Sequence, residues 1–589
     1  MNICPHPEGR CGIVGKLVRF LRPYRVQVIF VLLLTFGQTM ATLYLPNLMS
    51  NIVDTGVVKG DVAYIIRVGV WMFVIALLGG AASVAAAFFA SSSSARFARD
   101  LGLAMFRHCE GFSPREFDQI GTSSLIVRAT NDVMQVQQLV WMALRMAVMA
   151  PLSFIGGVIL AIHTSPRLSP IIVFALPIMG LTIFAVMGRG LGLFAAIQTK
   201  VDRLNRVVRE NLGGVRVVRS SGRTRHELER FDGANGDLTS TSAQAFQLMA
   251  TMGPLVMLIM NLAIVVVVWL GARAINAGSL QIGQLMAFIQ YVSQIMMAVM
   301  MVAMMFFFIP RGQASAIRIN EVLALRPMIT DPPHPVRPPS GVHARITFDH
   351  VTFHYPGGEE PALSDVSFAA GAGEITAIIG GTGAGKSTLL QLIPRLGDPT
   401  EGTVTVDGVD VREWSQQELR SRISYVPQNS VLFSGSVLEN IRYGDLDASE
   451  EAVRHAADIA QATAFISEMG EDIHSPVARG GVSLSGGQRQ RLAIARALVR
   501  KAEIYLFDDS FSALDYRTDS LLRAALRHEL PSATVLIVAQ RVSTVIDADR
   551  ILVLDDGRLV GVGTHEALVK TCRVYQEIVA SQMQPGVVA

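Results

Sequence analysis

The segment from Glu503 to Asp515, "EIYLFDDSFSALD", carries the strongest local information in this chain. Four consecutive apolar residues, Ile504 to Phe507, end in two adjacent carboxylates, Asp508 and Asp509. A short, continuous apolar run is typical of a strand that is buried on both faces of a parallel sheet. The pattern therefore predicts a buried strand that delivers a metal-binding carboxylate to the edge of a sheet.

A glycine-rich loop, "GGTGAGKST", follows the predicted strand Ile375 to Ile379 and opens a predicted helix. It matches the pattern G-x-x-x-x-G-K-[ST] in the structural context that this motif requires. Glycines let backbone N–H groups turn toward phosphate oxygens, and the helix N-terminus favours negative charge. Lys386 is expected to contact the β- and γ-phosphates, and Ser387 to ligate Mg²⁺. The predicted ATP-binding residues of this loop are Gly380, Gly381, Thr382, Gly383, Ala384, Gly385, Lys386, Ser387 and Thr388.

A second anion-binding helix N-terminus is predicted at Leu484 to Leu498, "LSGGQRQRLAIARAL", where a Ser and two Gly precede an amphipathic helix. One triphosphate cannot occupy both helix ends within one domain, so this second end is free to cap a nucleotide held elsewhere. With the glycine-rich loop upstream, the motif resembles ATP-binding cassette (ABC) half-transporters of the multidrug-exporter type. The resemblance covers essentially the whole chain from about residue 15.

Six long apolar segments occupy residues 1–310, and a bilayer core of about 30 Å requires about 20 helical residues. Arginine is concentrated in the two long loops between them, 91–138 and 188–248. The positive-inside rule therefore predicts that these loops and both termini face the cytoplasm. The segments are Val26 to Leu48, Ile66 to Ala90, Leu139 to Ile162, Ile171 to Met187, Met249 to Ile275 and Ile282 to Ile309.

The 589 residues are too many for one domain, and three parts are predicted. Residues 1–325 are expected to form an α-helical six-span transmembrane domain of the exporter-type ABC fold, with long cytoplasmic extensions. Residues 326–341 are dense in proline, which predicts a linker rather than a helix. In residues 342–589, short β-rich runs alternate with helical stretches, which predicts an α/β P-loop nucleotide-binding domain.

Composition excludes some classes of partner and structure. The net charge is only +3 and the basic residues form no aromatic-rich block, so no nucleic-acid partner is expected. The four cysteines are too scattered for a disulfide framework. The stretch "CPHPEGRC" contains Cys4, His6 and Cys11 and could ligate a metal, but an incidental pair of thiols in a tail is the favoured interpretation.

The resemblance implies roles for further residues. Tyr355, in "FHYPG", stands where the family stacks an aromatic ring on adenine. Gln428 stands between Mg²⁺ and the transmembrane helices, and Asp508 is the Mg²⁺-associated carboxylate, so Ser387, Gln428 and Asp508 form the implied metal site. In this family each of two ATP molecules lies on one chain's P-loop and under the other chain's signature. The implied signature residues are Leu484, Ser485, Gly486, Gly487 and Gln488, and the loop that crosses the dimer interface contains Ser512, Ala513, Leu514 and Asp515.

Two hydrolytic positions depart from the family pattern. Asp509 stands where the family normally has Glu, and Gln540 stands where it has His. Aspartate is one C–C bond shorter, and a misplacement of about 1 Å can lower a rate by ~10²-fold. A Gln amide cannot carry a proton, and Arg479 replaces the Glu that usually precedes the signature. We therefore expect this chain to be the degenerate-site subunit of a bacterial heterodimeric exporter; the alternative is a homodimer that tolerates slow hydrolysis.

The expected function is ATP-driven export of amphipathic or apolar molecules, such as drugs or lipids, with ATP and Mg²⁺ as cofactors. The expected partners are a second ABC half-transporter and the lipid bilayer of the bacterial inner membrane. The same fold also permits an importer of a siderophore or lipid, or a channel-like regulator, since fold alone does not fix direction. Segments 112–133 and 209–231 resemble the family's coupling segments. Cargo identity stays open, because Gln290, Gln294 and the Met-rich sixth span could contact cargo or other helices.

Overall fold

The computed structural model describes residues 17–338, 343–355 and 357–582. Cys4, His6 and Cys11 therefore lie outside the described residues. The chain divides into two compact units, which we describe separately. The first contains Met1–Glu110 and Thr122–Leu325, and the second contains Gly111–Gly121 and Arg326–Ala589.

Among the described residues, six helices are long and apolar enough to cross a membrane. Each contains one of the six predicted apolar segments, so this part of the prediction is confirmed. The polar sequence that flanks the apolar windows remains helical, which makes these helices considerably longer than a bilayer core requires. The six candidate spans are Arg19–Val57, Val62–Glu110, Thr122–Thr164, Pro170–Gly213, Thr224–Asn276 and Ile282–Ala324.

Within the membrane unit the long helices pack mainly in pairs: Arg25–Asn51 against Val62–Glu110, Pro170–Gly213 against Thr224–Asn276, and Val133–Thr164 against Ile282–Ala324. Short 3₁₀ or π-helical stretches adjoin the long helices at Arg19–Tyr24, Ile52–Val57 and Arg128–Asp132. The α-helices up to Ala324 are α1 (Arg25–Asn51), α2 (Val62–Glu110), α3 (Pro114–Ile120), α4 (Thr122–Val127), α5 (Val133–Thr164), α6 (Pro170–Gly213), α7 (Val215–Ser220), α8 (Thr224–Asn276) and α9 (Ile282–Ala324).

Hydrogen bonds to two carboxylates connect these helices to one another. The Asp54 carboxylate accepts hydrogen bonds from the backbone N–H groups of Gly283 (2.6 Å) and Gln284 (3.1 Å), which satisfies two donors at the N-terminus of α9. The fully buried Asp132 carboxylate accepts from Arg318 Nε at 2.7 Å and from Ser315 Oγ at 2.9 Å. A buried charge is tolerated where it is paired and hydrogen-bonded in this way.

The second unit is built on a six-stranded sheet in the order β12–β11–β3–β10–β9–β6. The central strands pair in parallel, and only the edge pair β11–β12 is antiparallel. A separate antiparallel sheet has the order β2–β1–β4–β5. The strands are β1 (Ile346–Phe353), β2 (Leu363–Ala370), β3 (Ile375–Gly380), β4 (Glu401–Val406), β5 (Val409–Asp410), β6 (Ile423–Val426), β7 (Gly435–Ser436), β8 (Pro476–Val477), β9 (Ile504–Asp508), β10 (Thr534–Val538), β11 (Arg550–Asp555) and β12 (Arg558–Gly563).

Strand β9 contains the predicted apolar run Ile504 to Phe507, and all five of its residues are buried. It lies between β10 and β6, both parallel to it, as its continuous hydrophobicity predicted. Helices cover the sheet, and the predicted fold class is confirmed. The helices of this unit after the linker are α10 (Lys386–Leu392), α11 (Gln416–Ser421), α12 (Val437–Arg442), α13 (Glu450–Ile459), α14 (Thr463–Ser467), α15 (Gly486–Leu498), α16 (Tyr516–Glu529), α17 (Val542–Val545), α18 (His565–Thr571) and α19 (Arg573–Gln582).

Residues 326–338, within the proline-dense stretch, contain neither helix nor strand. They lie against the second unit, where the Asp331 carboxylate accepts from the Gln416 backbone N–H at 3.0 Å. Part of the first predicted coupling segment belongs to the same unit. Its Glu116 is 2 % exposed, and one carboxylate oxygen accepts from the Met328 backbone N–H at 3.1 Å. The start of the linker and this short segment are therefore hydrogen-bonded to each other.

Candidate nucleotide-binding site

The glycine-rich loop connects β3 to α10 at the carboxyl edge of the parallel sheet, where ligands bind in open α/β folds. Gly385 immediately precedes the helix and has a left-handed backbone, with φ of +90°. A Cβ at this position would lie 2.5 Å from the carbonyl oxygen of Ala362, so both conformation and space require glycine. Gly381, Thr382 and Gly383 are exposed along the loop. The backbone therefore presents an open surface at a helix N-terminus, the arrangement that binds phosphate.

Lys386, the first residue of α10, is only 9 % exposed. Its Nζ donates to the carbonyl oxygens of Gly380 at 2.9 Å and Gly381 at 2.6 Å, which orients the ammonium along the loop. Burial lowers the pKa of Lys386, and the nearby carboxylates of Asp509 and Asp508 oppose this shift. Because an ammonium carries three N–H donors, one donor remains for a phosphate oxygen.

Ser387 and Asp508 meet at the end of strand β9. The Ser387 hydroxyl donates to Asp508 Oδ1 at 2.8 Å, and the Tyr425 hydroxyl donates to Asp508 Oδ2 at 3.1 Å. Burial, followed by the Asp508 charge, raises the pKa of Tyr425, so this phenol stays a donor. A hydroxyl beside a carboxylate is an oxygen donor set that suits Mg²⁺, which usually takes few protein ligands and completes its shell with phosphate and water. When bound, the ion would neutralise charge between the β- and γ-phosphates.

The backbone of Asp509 is held in an unusual conformation directly after the strand. Its φ is +48°, which is uncommon for a residue other than glycine. Its N–H donates to the Val538 carbonyl at 3.1 Å, which ties it to the neighbouring strand. Its own carbonyl accepts from Gln490 Nε2 at 3.2 Å and from Ser512 Oγ at 2.9 Å. Several neighbours therefore stabilise this strained residue at the site.

The side chain of Asp509 faces two glutamines. Its Oδ2 accepts from Gln540 Nε2 at 2.7 Å and, more weakly, from Gln428 Nε2 at 3.4 Å. Asp509 is 6 % exposed, and burial is the main cause that raises the pKa of its carboxyl group. Hydrogen bonds from Gln428 and Ser512 act in the opposite direction. Thus the two residues that depart from the family pattern are directly hydrogen-bonded to each other, and one carboxylate oxygen receives both amides.

Tyr355 lies two residues after the end of β1, and it is 47 % exposed. Its hydroxyl lies 3.0 Å from Thr388 Oγ1, which places the ring next to the helix that carries the phosphate loop. The Phe353 ring supports it edge-on, with 5.0 Å between ring centroids. An exposed aromatic face beside a phosphate-binding loop provides a surface on which a base can stack.

The signature residues form the N-terminus of α15. Ser485 is the N-cap: its Oγ accepts from the Gln488 backbone N–H at 3.2 Å, while Gln488 Oε1 accepts from the Ser485 N–H at 2.8 Å. This reciprocal capping box defines the start of the helix. Leu484 is buried, whereas Ser485 and Gly486 are exposed. A Cβ at Gly487 would lie only 3.0 Å from the Ala513 carbonyl oxygen, so the signature packs closely against the predicted interface loop.

That interface loop is fixed from two sides. Arg541 donates to the carbonyl oxygens of Ser512 at 3.0 Å and Leu514 at 3.2 Å. Asp515 caps helix α16 and accepts from the Thr518 backbone N–H at 3.1 Å. Hydrogen bonds from Thr518 lower the pKa of Asp515, so it remains an ionised cap. The loop is therefore held firmly while its outer surface stays open.

The structure brings the predicted residues together as two groups. The P-loop residues, Asp508, Asp509, Gln428 and Gln540 form one group at the carboxyl edge of the sheet. The signature and the interface loop form another, and Gln490 of the signature helix connects them through the Asp509 carbonyl. No sequence pattern predicted the site contacts of Gln490, Tyr425 and Arg541. Tyr425 lies three residues before Gln428 in "YVPQ", but no short-range pattern indicates its contact with Asp508.

A P-loop, a carboxylate pair and a separate signature helix, following six membrane-spanning helices, define an ATPase that is coupled to membrane transport. Comparison with known families agrees, since residues 28–299 match the ABC transporter transmembrane region and residues 363–512 match the ABC transporter domain. The chain belongs to the ABC transporter family and is a half-transporter of the exporter type. Its ABC domain implies ATP binding, and the chain is a multi-pass membrane protein.

Relatives match over nearly the whole length. An uncharacterized ABC transporter ATP-binding protein of Mycobacterium tuberculosis is 42% identical over 573 residues, which covers 97% of this chain and 98% of the relative. An ATP-dependent lipid A-core flippase of Thiobacillus denitrificans is 31% identical over 585 residues, with 97% and 98% coverage. The solved structure of a bacterial Atm1-family ABC exporter with ATP bound matches with a TM-score of 0.78 and 26% identity, over 96% of this chain and 99% of that one.

Proposed function

We propose that this chain is the degenerate-site subunit of a heterodimeric exporter in the bacterial inner membrane, with both termini in the cytoplasm. The observation that carries the proposal is the 2.7 Å hydrogen bond from Gln540 Nε2 to Asp509 Oδ2. The phosphate-binding loop retains the residues that are expected to hold ATP, whereas both hydrolytic positions depart from the family pattern. Binding without efficient turnover is the function that best fits this combination.

The chemistry of the pair supports slow hydrolysis. A general base must reach the attacking water within hydrogen-bond distance, about 2.6–3.2 Å between heavy atoms. The Asp509 side chain is one methylene shorter than Glu, and Oδ2 already accepts from an amide that cannot receive a proton. Gln540 can donate to a γ-phosphate oxygen but cannot relay a proton. The site is therefore suited to retaining ATP rather than to cleaving it.

The signature helix also supports the assignment of this chain as a degenerate-site subunit. Its capping box is complete, and Ser485 and Gly486 are exposed at the helix N-terminus. An intact signature on a chain with an impaired hydrolytic pair is useful when it completes a site on a different chain. The partner would supply the P-loop, the catalytic Glu and the His of that competent site.

A slow homodimer is the second candidate, and one observation favours it. Burial raises the pKa of the Asp509 carboxyl group, which makes the carboxylate a better proton acceptor near neutral pH. In that case two identical sites would each hydrolyse ATP with Asp509 as the catalytic carboxylate. The number of different chains in the purified transporter distinguishes this candidate from the heterodimer.

For cargo we propose amphipathic or apolar molecules such as lipids or drugs. Two lines support this class: several relatives are named ATP-dependent lipid A-core flippases, and the last span is rich in methionine, "YVSQIMMAVMMVAMM" at residues 291–305. Methionine adapts its shape and suits surfaces that bind varied apolar groups. Export is the proposed direction, and import of a siderophore or lipid is the alternative.

The test is to purify the chain from its native membrane, identify every co-purifying half-transporter, and measure ATP hydrolysis by the complex and by this chain alone. We expect a second half-transporter with Glu and His at the two altered positions, and at least about tenfold faster hydrolysis by the complex. A transporter that contains only this chain and hydrolyses ATP at the same rate would establish the homodimer. Flux of a labelled phospholipid and of a lipophilic cation, measured in vesicles of both orientations with Mg²⁺-ATP, tests direction and cargo class.

A further inference from the structure

The last described helix, α19, is anchored firmly on the nucleotide-binding unit. Its Tyr575 is fully buried in the main core of this unit, and the Tyr575 hydroxyl lies 2.7 Å from His565 Nδ1. Ile578 and Val579 pack against the same core. Gln582 is seven residues after Tyr575, so it lies on the same face of the helix, about two turns further along.

The Gln582 side chain makes two hydrogen bonds to the backbone of the segment 540–542. Its Oε1 accepts from the Val542 N–H at 2.8 Å, and its Nε2 donates to the Gln540 carbonyl at 2.7 Å. Val542 begins the short helix α17, and its preceding residue, Arg541, provides no side-chain cap. The amide of Gln582 therefore satisfies a helix N–H that has no side-chain cap from the preceding residue. It is hydrogen-bonded to the residues on both sides of Arg541.

Two residues of this segment contact different parts of the nucleotide site. The Gln540 side chain donates to Asp509 Oδ2, and the Arg541 guanidinium donates to the Ser512 and Leu514 carbonyls of the interface loop. Segment 540–542 is thus the point where the C-terminal helix, the hydrolytic carboxylate and the interface loop are joined. A shift of its backbone would move all of these contacts.

We infer that Gln582 is a positioning residue for ATP hydrolysis, which acts by fixing the backbone of residues 540–542. A planar side-chain amide that donates to one peptide group and accepts from the next one sets the orientation of these two peptide planes on either side of the Arg541 Cα. Gln540 and Arg541 then project toward Asp509 and the interface loop, respectively. The inference rests on ATP hydrolysis by the transporter. In the proposed heterodimer Gln582 acts through Arg541 and the interface loop, and in the homodimer it acts through Gln540 and Asp509 as well.

The experiment uses the full-length transporter with any partner it has, and compares Gln582→Met, Gln582→Glu and Ser581→Ala. Methionine keeps the length and helix propensity of glutamine but removes both hydrogen bonds. Glutamate keeps the acceptor for Val542 but replaces the donor toward the Gln540 carbonyl by an oxygen. Ser581 is the matched control, since its exposed hydroxyl donates only to Ile578 of its own helix.

We expect Gln582→Met to lower kcat for ATP about three- to tenfold and to leave KM for ATP within about twofold, because a small displacement reduces rate while the P-loop contacts are untouched. Gln582→Glu should also lower kcat, and Ser581→Ala should not. Amide exchange at Val542 should accelerate in Gln582→Met and stay slow in Gln582→Glu. If Gln582→Met reduces the yield of folded protein, Gln582→Glu decides the question on its own.

A double-mutant cycle separates positioning from simple support of the fold. In a Gln540→Ala, Arg541→Ala background, Gln582→Met should change kcat by less than about twofold, because the side chains through which it acts are gone. The inference is overturned if Gln582→Met and Gln582→Glu leave kcat unchanged. It is also overturned if Gln582→Met causes the same fold loss in both backgrounds, or if Ser581→Ala is as damaging.

Discussion

The two helix N-termini of the nucleotide-binding unit differ in what surrounds them. At the P-loop, the helix α10 and its lysine meet a buried carboxylate, Asp509, that is hydrogen-bonded to Gln540 and Gln428. At the signature, α15 begins with a complete capping box and an exposed Ser485. One end combines sound phosphate-binding geometry with an altered hydrolytic pair, while the other is intact. Under the proposed function, this difference separates ATP binding from ATP hydrolysis within a single ABC chain.

The largest expected effect tests the proposed difference between the signature and the P-loop site. Ser485→Ala should lower ATP hydrolysis by the complex about 10²-fold or more, because it removes a donor aimed at the charge of the transferring phosphoryl group. Asp509→Asn should lower the rate less than about threefold, since under the proposed function it alters only the site that hydrolyses ATP slowly. Steady-state ATPase rates of the co-purified complex measure both.

Gln488→Ala is the control for this pair, because it removes the other half of the capping box without removing the hydroxyl. Its melting temperature separates loss of helix capping, about 1 kcal/mol, from loss of catalysis. Equal damage from Asp509→Asn and Ser485→Ala would contradict the asymmetric assignment and support the slow homodimer.

The second effect concerns the binding half of the P-loop site. Lys386→Ala should weaken ATP binding at this chain's own site by about 10- to 10²-fold, since a charge-assisted hydrogen bond contributes roughly 1.5–3 kcal/mol. Equilibrium binding of a fluorescent ATP analogue measures the loss, and Lys570→Ala on the surface helix α18 is the matched control. Unchanged occupancy at both sites would show that Lys386 does not hold phosphate.

The third prediction restores the usual family residues at the two altered hydrolytic positions. Asp509→Glu combined with Gln540→His should raise hydrolysis at this site about tenfold, because the carboxylate regains its reach and the neighbouring residue can accept a proton. The measurement uses complexes whose partner lacks its own catalytic Glu, so that the remaining activity belongs to this site.

Each single substitution is the control for this repair and should recover less than the pair. Arg479, exposed ahead of the signature, is unchanged in all of these variants. If the double variant stays as slow as the native chain, other parts of the site limit hydrolysis, and the two altered residues are not its main cause.

The smallest expected effect concerns Tyr355, the residue predicted to stack on adenine. Tyr355→Phe should change ATP affinity by less than about twofold, because it removes the contact with Thr388 but keeps the ring. Tyr355→Ala should weaken affinity about three- to tenfold through lost stacking. Titration with ATP measures both, and an equal loss in the two variants would assign the role to the hydroxyl rather than to the ring.

Much of the fold followed from periodicity and motif spacing. The apolar windows located all six membrane helices because a bilayer imposes a length of about 20 residues on any helix that crosses it. The run from Ile504 to Phe507 located strand β9 because a strand buried on both faces must be apolar throughout. The glycine pattern located the loop between β3 and α10, since only glycine fits the left-handed backbone and close approach at Gly385.

The sequence by itself determined these local elements and the chemical types of residue at the nucleotide site. Only the tertiary structure decided which of those residues touch. Tyr425 reaches Asp508 from β6, the strand beside β9, and Gln582 reaches residues 540–542 from the far end of the chain. No short-range pattern encodes such pairs, because strand order and helix docking arise from burial of the whole core, in which distant residues become neighbours.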